Sequence, residues 1–510
     1  MQSSEAAFPW LSILIVVAVL AALILWLAKP LHKVAAAYGV AVSAVIFVCF
    51  LVAAYTGFDA ADAGRVQMAE LYSWIPQIGT SIAWGVNGMG LVMVGLATFL
   101  VPVVLLSSWS FLEEETEGRA AGYVAWILFL EAVMIGIFAA RDVLVFYILF
   151  EVMLIPVFFL IGRYGGANRQ RAAVKFLLYS LVGGLIMLVG VVGVYVLGPG
   201  GPQGFLIDNL VGAMSGSSTV HTLLFLSFFF AFAVKAPMFP VHTWLPDATE
   251  EAPAGTSTLL VGVLDKIGTF GMIALCLPLF PEASSTAAVP IMVLAVISVL
   301  WGAFMAIASK DLMRLIAYTS VSHFGFMVMG IFSGSSVAMT GAILYMVAHG
   351  VATGALFLTV SFLARRGGSH QIADYGGWQR VTPLIAGTFL VAGLASIALP
   401  GLSGFVPEYL ILVGTFKVNA VYAVIAAFGV VLAALYILLP YQKVFTGPVP
   451  QREVKDMDAK ERVVAGVLVA AMLYLGFAPA ATLDVIRPVA EDTSAVMVAD
   501  TSATLEGSAH

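Results

Sequence analysis

Charge is the first thing this sequence lacks. Only 10% of its 510 residues are Asp, Glu, Lys or Arg, against about 25% in soluble domains. By contrast 61% are hydrophobic, and mean hydropathy is +1.03. That balance excludes a soluble globular domain and describes a polytopic, all-α membrane protein. Cysteine is nearly absent too. Cys49 and Cys276 sit far apart in apolar runs, so they make neither a disulfide framework nor a metal site and read as small apolar helix residues. No glycine-rich nucleotide motif, CxxC pair or haem box is present, and no nucleic-acid partner is expected. If the protein takes part in redox chemistry, it does not carry the electrons. A secretory signal is also missing: the first apolar run, 10–28, is span length without a small-residue cleavage site.

What is there is a series of apolar runs, each about 20 residues or more. They lie near 10–28, 34–54, 83–109, 120–140, 142–162, 172–197, 221–244, 254–279, 287–308, 313–333, 337–364, 381–416, 418–446 and 462–480, which predicts fourteen transmembrane helices. With the N-terminus outside, the loops on one side hold seventeen Lys and Arg, among them Arg163, Arg169, Arg171, Lys175, Arg314 and Arg452; the other side holds Arg65, Arg141, Lys417 and Arg487. This positive-inside split puts both termini outside. Dividing the long run 381–416 into two spans would move the five basic residues from Lys443 to Arg462 across the membrane, so it reads as one broken helix.

Two runs carry an interior break. In the seventh, Lys235 is followed by Pro237, in Phe232-Ala-Val-Lys-Ala-Pro-Met-Phe-Pro240-Val-His242. A lysine at bilayer depth costs roughly 2.5–3.5 kcal/mol and normally faces a protein interior or a water-filled path. Proline donates no N–H, so Pro237 is expected to leave the Ala233 carbonyl free beside the lysine. In the twelfth run, Pro400 does the same for Ser396, ahead of Glu408. The breaks are five helices apart. Helices 4–8 (within 120–280) and 9–13 (within 281–446) then read as two inverted repeats, with ion sites at the breaks. Residues 1–119 supply three leading helices, and 447–510 one last helix and a polar external tail that need not be ordered.

The candidate site residues are the charges and imidazoles inside these runs: Glu131, Glu151, Lys235, Lys266, His323, His349 and Glu408. For each, the functional reading is a proton site; the competing one is a structural ion pair or hydrogen bond between helices. Glu151 has apolar neighbours on both sides, so its retention implies a partner, and Lys235 is the natural one. Asp265 lies about 100° around the helix from Lys266 and damps its charge without sharing its face. His323 and His349 fall between the breaks and titrate near neutral pH when unperturbed. Glu131 is the weakest candidate, with Arg141 as its expected structural partner. Arg163, Arg169, Arg171 and Lys175 read as topology determinants.

Several of these stretches resemble a known family. His242-Thr-Trp-Leu-Pro-Asp247, Glu251-Ala-Pro253, Leu260-Val-Gly-Val-Leu-Asp-Lys266-Ile-Gly-Thr-Phe-Gly271, Phe146-Tyr-Ile-Leu-Phe-Glu151, Tyr318-Thr-Ser-Val-Ser-His323 and Met346-Val-Ala-His349 are similar to the signature of antiporter-like proton-pumping subunits of respiratory complex I. The resemblance covers about residues 85 to 445. Glu408, where many members have lysine, is similar to the M type (chain 4) within that family. The resemblance implies a non-redox, proton-translocating membrane subunit of an NADH-quinone oxidoreductase in the bacterial cytoplasmic membrane. It implies L-type and N-type neighbours, internal water and lipid as partners, with NADH, FMN, iron–sulfur clusters and quinone on other subunits. In its terms Glu151 and Lys235 form the first-half pair, Lys266 leads to the centre, the histidines carry the axis and Glu408 ends it. The alternative is a subunit of a multisubunit cation/proton antiporter or membrane-bound hydrogenase. Where the family usually has histidine, this chain has Thr249, and Asp265 stands where an apolar residue is usual.

Overall fold

The computed structural model describes residues 7–214, 218–450 and 454–507. Arg452 and residues 508–510 of the expected tail lie outside them. A hydrocarbon environment leaves backbone polar groups no partner but one another, which makes helices the economical way across. The helices are α1 (Trp10–Leu27), α2 (Ala35–Gly57), α3 (Gly88–Ser107), α4 (Glu117–Ala139), α5 (Val143–Tyr164), α6 (Arg169–Leu197), α7 (Thr219–Lys235), α8 (Trp244–Glu251), α9 (Ala254–Leu279), α10 (Pro281–Ala308), α11 (Leu312–Phe332), α12 (Ser336–Gly367), α13 (Pro383–Ser396), α14 (Phe405–Val418), α15 (Ala420–Phe445), α16 (Ala459–Phe477) and α17 (Ala480–Gly507). Short helical turns join several of them.

Among the described residues, eleven helices are long and apolar enough to cross a membrane, or twelve if α16 and α17, bent 65° to each other, count as one. With that pair counted, the shortfall from fourteen falls at the two broken runs. Each is split, α7 with α8 and α13 with α14, into pieces of 17 residues or fewer. Two further expectations are corrected. The run 83–109 is helical only from Gly88, where the Asn87 side chain caps α3. Residues before it form an antiparallel hairpin, Gln67–Ile75 with Thr80–Val86, whose backbone meets Ala140 and Arg141 at the α4–α5 turn. The described part of the expected tail is helical: α17 runs from Ala480 and packs on α12, α3 and α10. Its apolar residues Ile486, Val489 and Ala490 are buried among polar neighbours, a helical pattern that the acidic composition hides.

Burial locates the centre. The apolar stretch of α11 is wholly buried and those of α9 and α12 are 94% buried, against 28% for the stretch that contains α2. Small residues bring the central helices together: a Cβ at Gly325 of α11 would lie 2.6 Å from the Ala295 carbonyl of α10, the close approach that replaces hydrophobic driving force in lipid. The three most buried helices carry Asp265, Lys266, His323 and His349.

Candidate functional site

At the first break α7 ends on Lys235. The Ala233 carbonyl is not free, contrary to expectation: it accepts the Met238 N–H at 3.0 Å, and the Trp244 indole N–H donates to the Val234 carbonyl at 3.0 Å. The break is therefore closed by its own backbone and by α8. Lys235 is 1% exposed. Its ammonium reaches the Ser180 hydroxyl at 3.5 Å and lies 4.8 Å from the Phe176 ring, with Phe150 and Trp244 each at 5.8 Å. The site is an aromatic cage, whose ring faces attract a cation.

Glu151 rests on the same face of α6 as Lys235. Its carboxylate occupies the space over Gly184, four residues and so about 6 Å along the helix from Ser180. The two do not form an ion pair, and Glu151 Oε1 has no hydrogen-bond partner in the protein. They are neighbouring charges held apart. Glu131 is buried in α4, with neither oxygen hydrogen-bonded. Arg141 is not its partner; it pairs with Asp208 at 2.6 Å.

The centre is connected. Between Leu260 and Leu264 the helix α9 widens by a π-turn, a distortion frequent at functional sites. The Asp265 N–H bonds back to Leu260 at 3.0 Å, one residue beyond its α-helical acceptor, Val261. The released Val261 carbonyl accepts from Lys266 Nζ at 2.5 Å, and Nζ also lies 2.7 Å from His349 Nδ1. One proton arrangement satisfies the next links. The Ser320 hydroxyl donates to the Ile316 carbonyl at 3.0 Å, so its oxygen accepts from His349 Nε2 at 3.2 Å. His349 Nδ1 is then the acceptor for Lys266.

From His349 the line continues by ring contact. His323 stands edge-on to it, 5.1 Å between centroids, and 5.6 Å from the Tyr345 ring. Tyr436 hydroxyl meets His323 Nε2 at 3.1 Å, and Tyr345 hydroxyl donates to Glu408 Oε2 at 2.8 Å. All six side chains from Lys266 to Glu408 are at most 4% exposed. At the second break Ala398 is held at φ 58, a strained position for a residue with a Cβ, and the Ser396 backbone faces His323. The structure thus joins Lys266, His349, His323 and Glu408, sets Glu151 and Lys235 beside each other without contact, and leaves Glu131 apart. It adds Tyr345 and Tyr436, which sequence reasoning missed. Tyr345 was findable: it precedes His349 by four residues and shares its helix face.

On the strongly basic side, Asp247 just past the first break binds Lys175 and Arg314, each at 2.6 Å, and Glu250 binds Arg314 at 2.8 Å. Burial alone would raise the Asp247 carboxyl, but hydrogen bonds from the two cations outweigh it and hold it below the ordinary value. This network ties α8 to α6 and α11. Among the described residues, no group of three His, Cys, Asp or Glu could hold a metal ion.

Two broken helices around a buried line of titratable groups are the architecture of ion-translocating, antiporter-like membrane proteins. The chain belongs to the family described as NADH:quinone oxidoreductase/Mrp antiporter, transmembrane, whose model matches residues 140–435. It is 43% identical over 524 residues to NADH-quinone oxidoreductase subunit M of Mycobacterium tuberculosis, covering 95% of this chain and 94% of the relative. It is 40% identical to subunit M of Rhodobacter capsulatus, covering 85% of each. Among solved structures it is similar to a chain of respiratory complex I from Thermus thermophilus (TM-score 0.85, 33% identity, 94% of this chain and 99% of that one). A chain of the Mrp complex from Dietzia sp. shares the fold, with TM-score 0.83 at 19% identity over 96% of this chain and 99% of that one.

Proposed function

We propose that this chain is the M-type, proton-translocating membrane subunit of an NADH-quinone oxidoreductase, itself non-redox and driven by quinone reduction elsewhere in the complex. The observation that carries the reading is the unbroken burial of Lys266, His349, His323, Tyr345 and Glu408 across the three most buried helices and the second break. Protons load Lys266 from the basic side, pass over the histidines and leave through Glu408. The charges at Glu151 and Lys235 gate the loading. Moving one charge against 100 mV costs about 2.3 kcal/mol, the scale of a shift of one to two pK units at coupled buried groups.

The chain crosses the membrane fourteen times in this reading, with both termini outside and inverted units at 120–280 and 281–446. In support, Asp142 and Asp311 cap corresponding helices, α5 and α11, and each is also held by an isolated bridge, to Leu206 and Gln371. L-type and N-type subunits flank it, lipid covers α1, α2 and α15, and the flavin, iron–sulfur clusters and quinone sit on partners.

The test is proton uptake by inverted membrane vesicles carrying Glu151→Gln or Lys235→Ala. Uptake should fall on the order of tenfold while the complex assembles and still oxidises NADH with a soluble electron acceptor. Wild-type uptake in both variants would sink the assignment.

A further inference from the structure

Two fully buried acids with unpaired carboxyls, Glu131 and Asp265, stand outside the line from Lys266 to Glu408, and Asp265 adjoins it in sequence. Asp265 is 0% exposed, and neither carboxyl oxygen has a hydrogen-bond partner. Its helix faces settle where it belongs. Gly268, one turn on, is pressed against the end of α7: a Cβ there would meet the Phe232 carbonyl and Ala236 nitrogen at 2.5 Å. Gly271, a further turn on, lies on the Phe232 ring. Gly268 and Gly271 thus face the turn that carries Lys235, and Asp265, lying between Gly268 and Thr269 around the helix, stands at the border of that face. The adjacent face looks the other way, toward α12: Lys266 meets His349, Thr269 donates to Met346 Sδ at 2.9 Å, and Gly262 packs on Gly350. Lys266 therefore addresses the second half of the protein, while Asp265 stands between the two halves.

The charges agree with the packing. Lys235 and Lys266 both stand within electrostatic reach of Asp265, and Asp265 and Glu151 both within reach of Lys235. A purely structural pair would close to contact, because a buried carboxylate gains most when its lone pairs are satisfied. Among the described residues, no ion pair joins Asp265 to either lysine.

We propose that Asp265 is the positioning residue that couples the first break to the central line, a counter-charge shared between Lys235 and Lys266. This rests on the proton-translocation reading above. When the carboxylate serves Lys235, the Lys266 ammonium loses its counter-charge. One of its protons then becomes the Nδ1–H of His349 and leaves a neutral amine. When Glu151 takes over Lys235, Asp265 returns to Lys266, which binds a new proton from the basic side.

The experiment compares Asp265→Asn, Asp265→Glu and, as reference, Lys266→Ala in the assembled complex, by proton uptake into inverted vesicles. Asp265→Asn should lower uptake on the order of tenfold, the weight of one opposite-charge interaction of about a pK unit. Asp265→Glu should recover most of it. Packing alone ranks them in reverse, since Asn is isosteric and Glu adds a methylene to a filled site. The proposal is overturned if Asp265→Asn pumps like wild type, if Asp265→Glu is the worse of the two, or if Asp265→Asn fails to assemble, which would mark a structural charge. If Lys266→Ala also pumps normally, the proton-translocation reading itself has failed; if only Asp265→Asn does, the failure is confined to this residue.

Discussion

The two broken helices differ in what they hold and in how they hold it. The first presents a cation inside aromatic rings, with one weak hydroxyl contact and a carboxylate on the same helix face that does not touch it. The second presents a carboxylate tied by a tyrosine into a line of rings and hydroxyls that ends on Lys266. In a low-dielectric interior, separated charges feel one another at distances where no proton could hop. Hydrogen-bonded groups can exchange a proton directly. In the proposed reading the first break senses charge and the second passes protons, although both begin from a proline in an apolar helix.

Lys266→Ala should have the largest effect, because Lys266 is where the two regimes meet. It removes the donor to both Val261 and His349. Proton uptake in inverted vesicles should drop by at least about tenfold. If Lys266→Ala instead retained more uptake than Lys235→Ala, the roles of the two breaks would be inverted and the first would carry the conducted proton.

Tyr345→Phe should come next. It takes the hydroxyl from Glu408 and keeps the ring beside His323. A buried hydrogen bond contributes about 0.5–1.5 kcal/mol net, so uptake should fall severalfold, with complex assembly unchanged. Uptake equal to wild type would show that Glu408 needs no hydroxyl partner and that the second break, like the first, works by field alone.

Much of this was legible in the sequence, for reasons that differ by feature. The helices follow from long apolar runs, and both breaks from Pro237 and Pro400 in the middle of such runs. The buried charges stood out because each is costly at bilayer depth and so rarely accidental. Their partners were harder. Opposite buried charges attract, which pairs Lys235 with Glu151, yet the fold seats Lys235 at Ser180 among aromatic rings and Glu151 over Gly184 a turn along. Arg141 was matched to Glu131 by proximity in sequence, while a loop residue, Asp208, takes it. The π-turn at Leu260–Leu264 left no residue-level mark, since its residues are ordinary apolar helix formers and a glycine. Tyr436 lies in α15, whose apolar stretch is only 33% buried, and nothing in its local sequence distinguishes an inward tyrosine from an interfacial one. The helix α17 was hidden by composition: its acidic, small residues mask a buried stripe.

The smallest effect is expected from a change that alters no charge. A methyl group at Gly184 would coincide with Glu151 Oε1 and lie 2.7 Å from its Cδ. The obstacle is the far end of a flexible side chain, so Gly184→Ala need not disturb α6 or α5. Glu151 must instead leave its rotamer, at a cost of roughly 0.5–1.5 kcal/mol. Its carboxylate then moves relative to Lys235 while both charges stay. If the first break acts through the distance between these charges, proton uptake should fall about threefold, with normal assembly and with Glu151→Gln adding little on top. If the carboxylate merely fills space, the methyl group replaces it and uptake is unchanged. A loss as large as that of Glu151→Gln would mean that Glu151 tolerates no displacement at all, which is how a hydrogen-bonded relay behaves. The two breaks would then work by one mechanism.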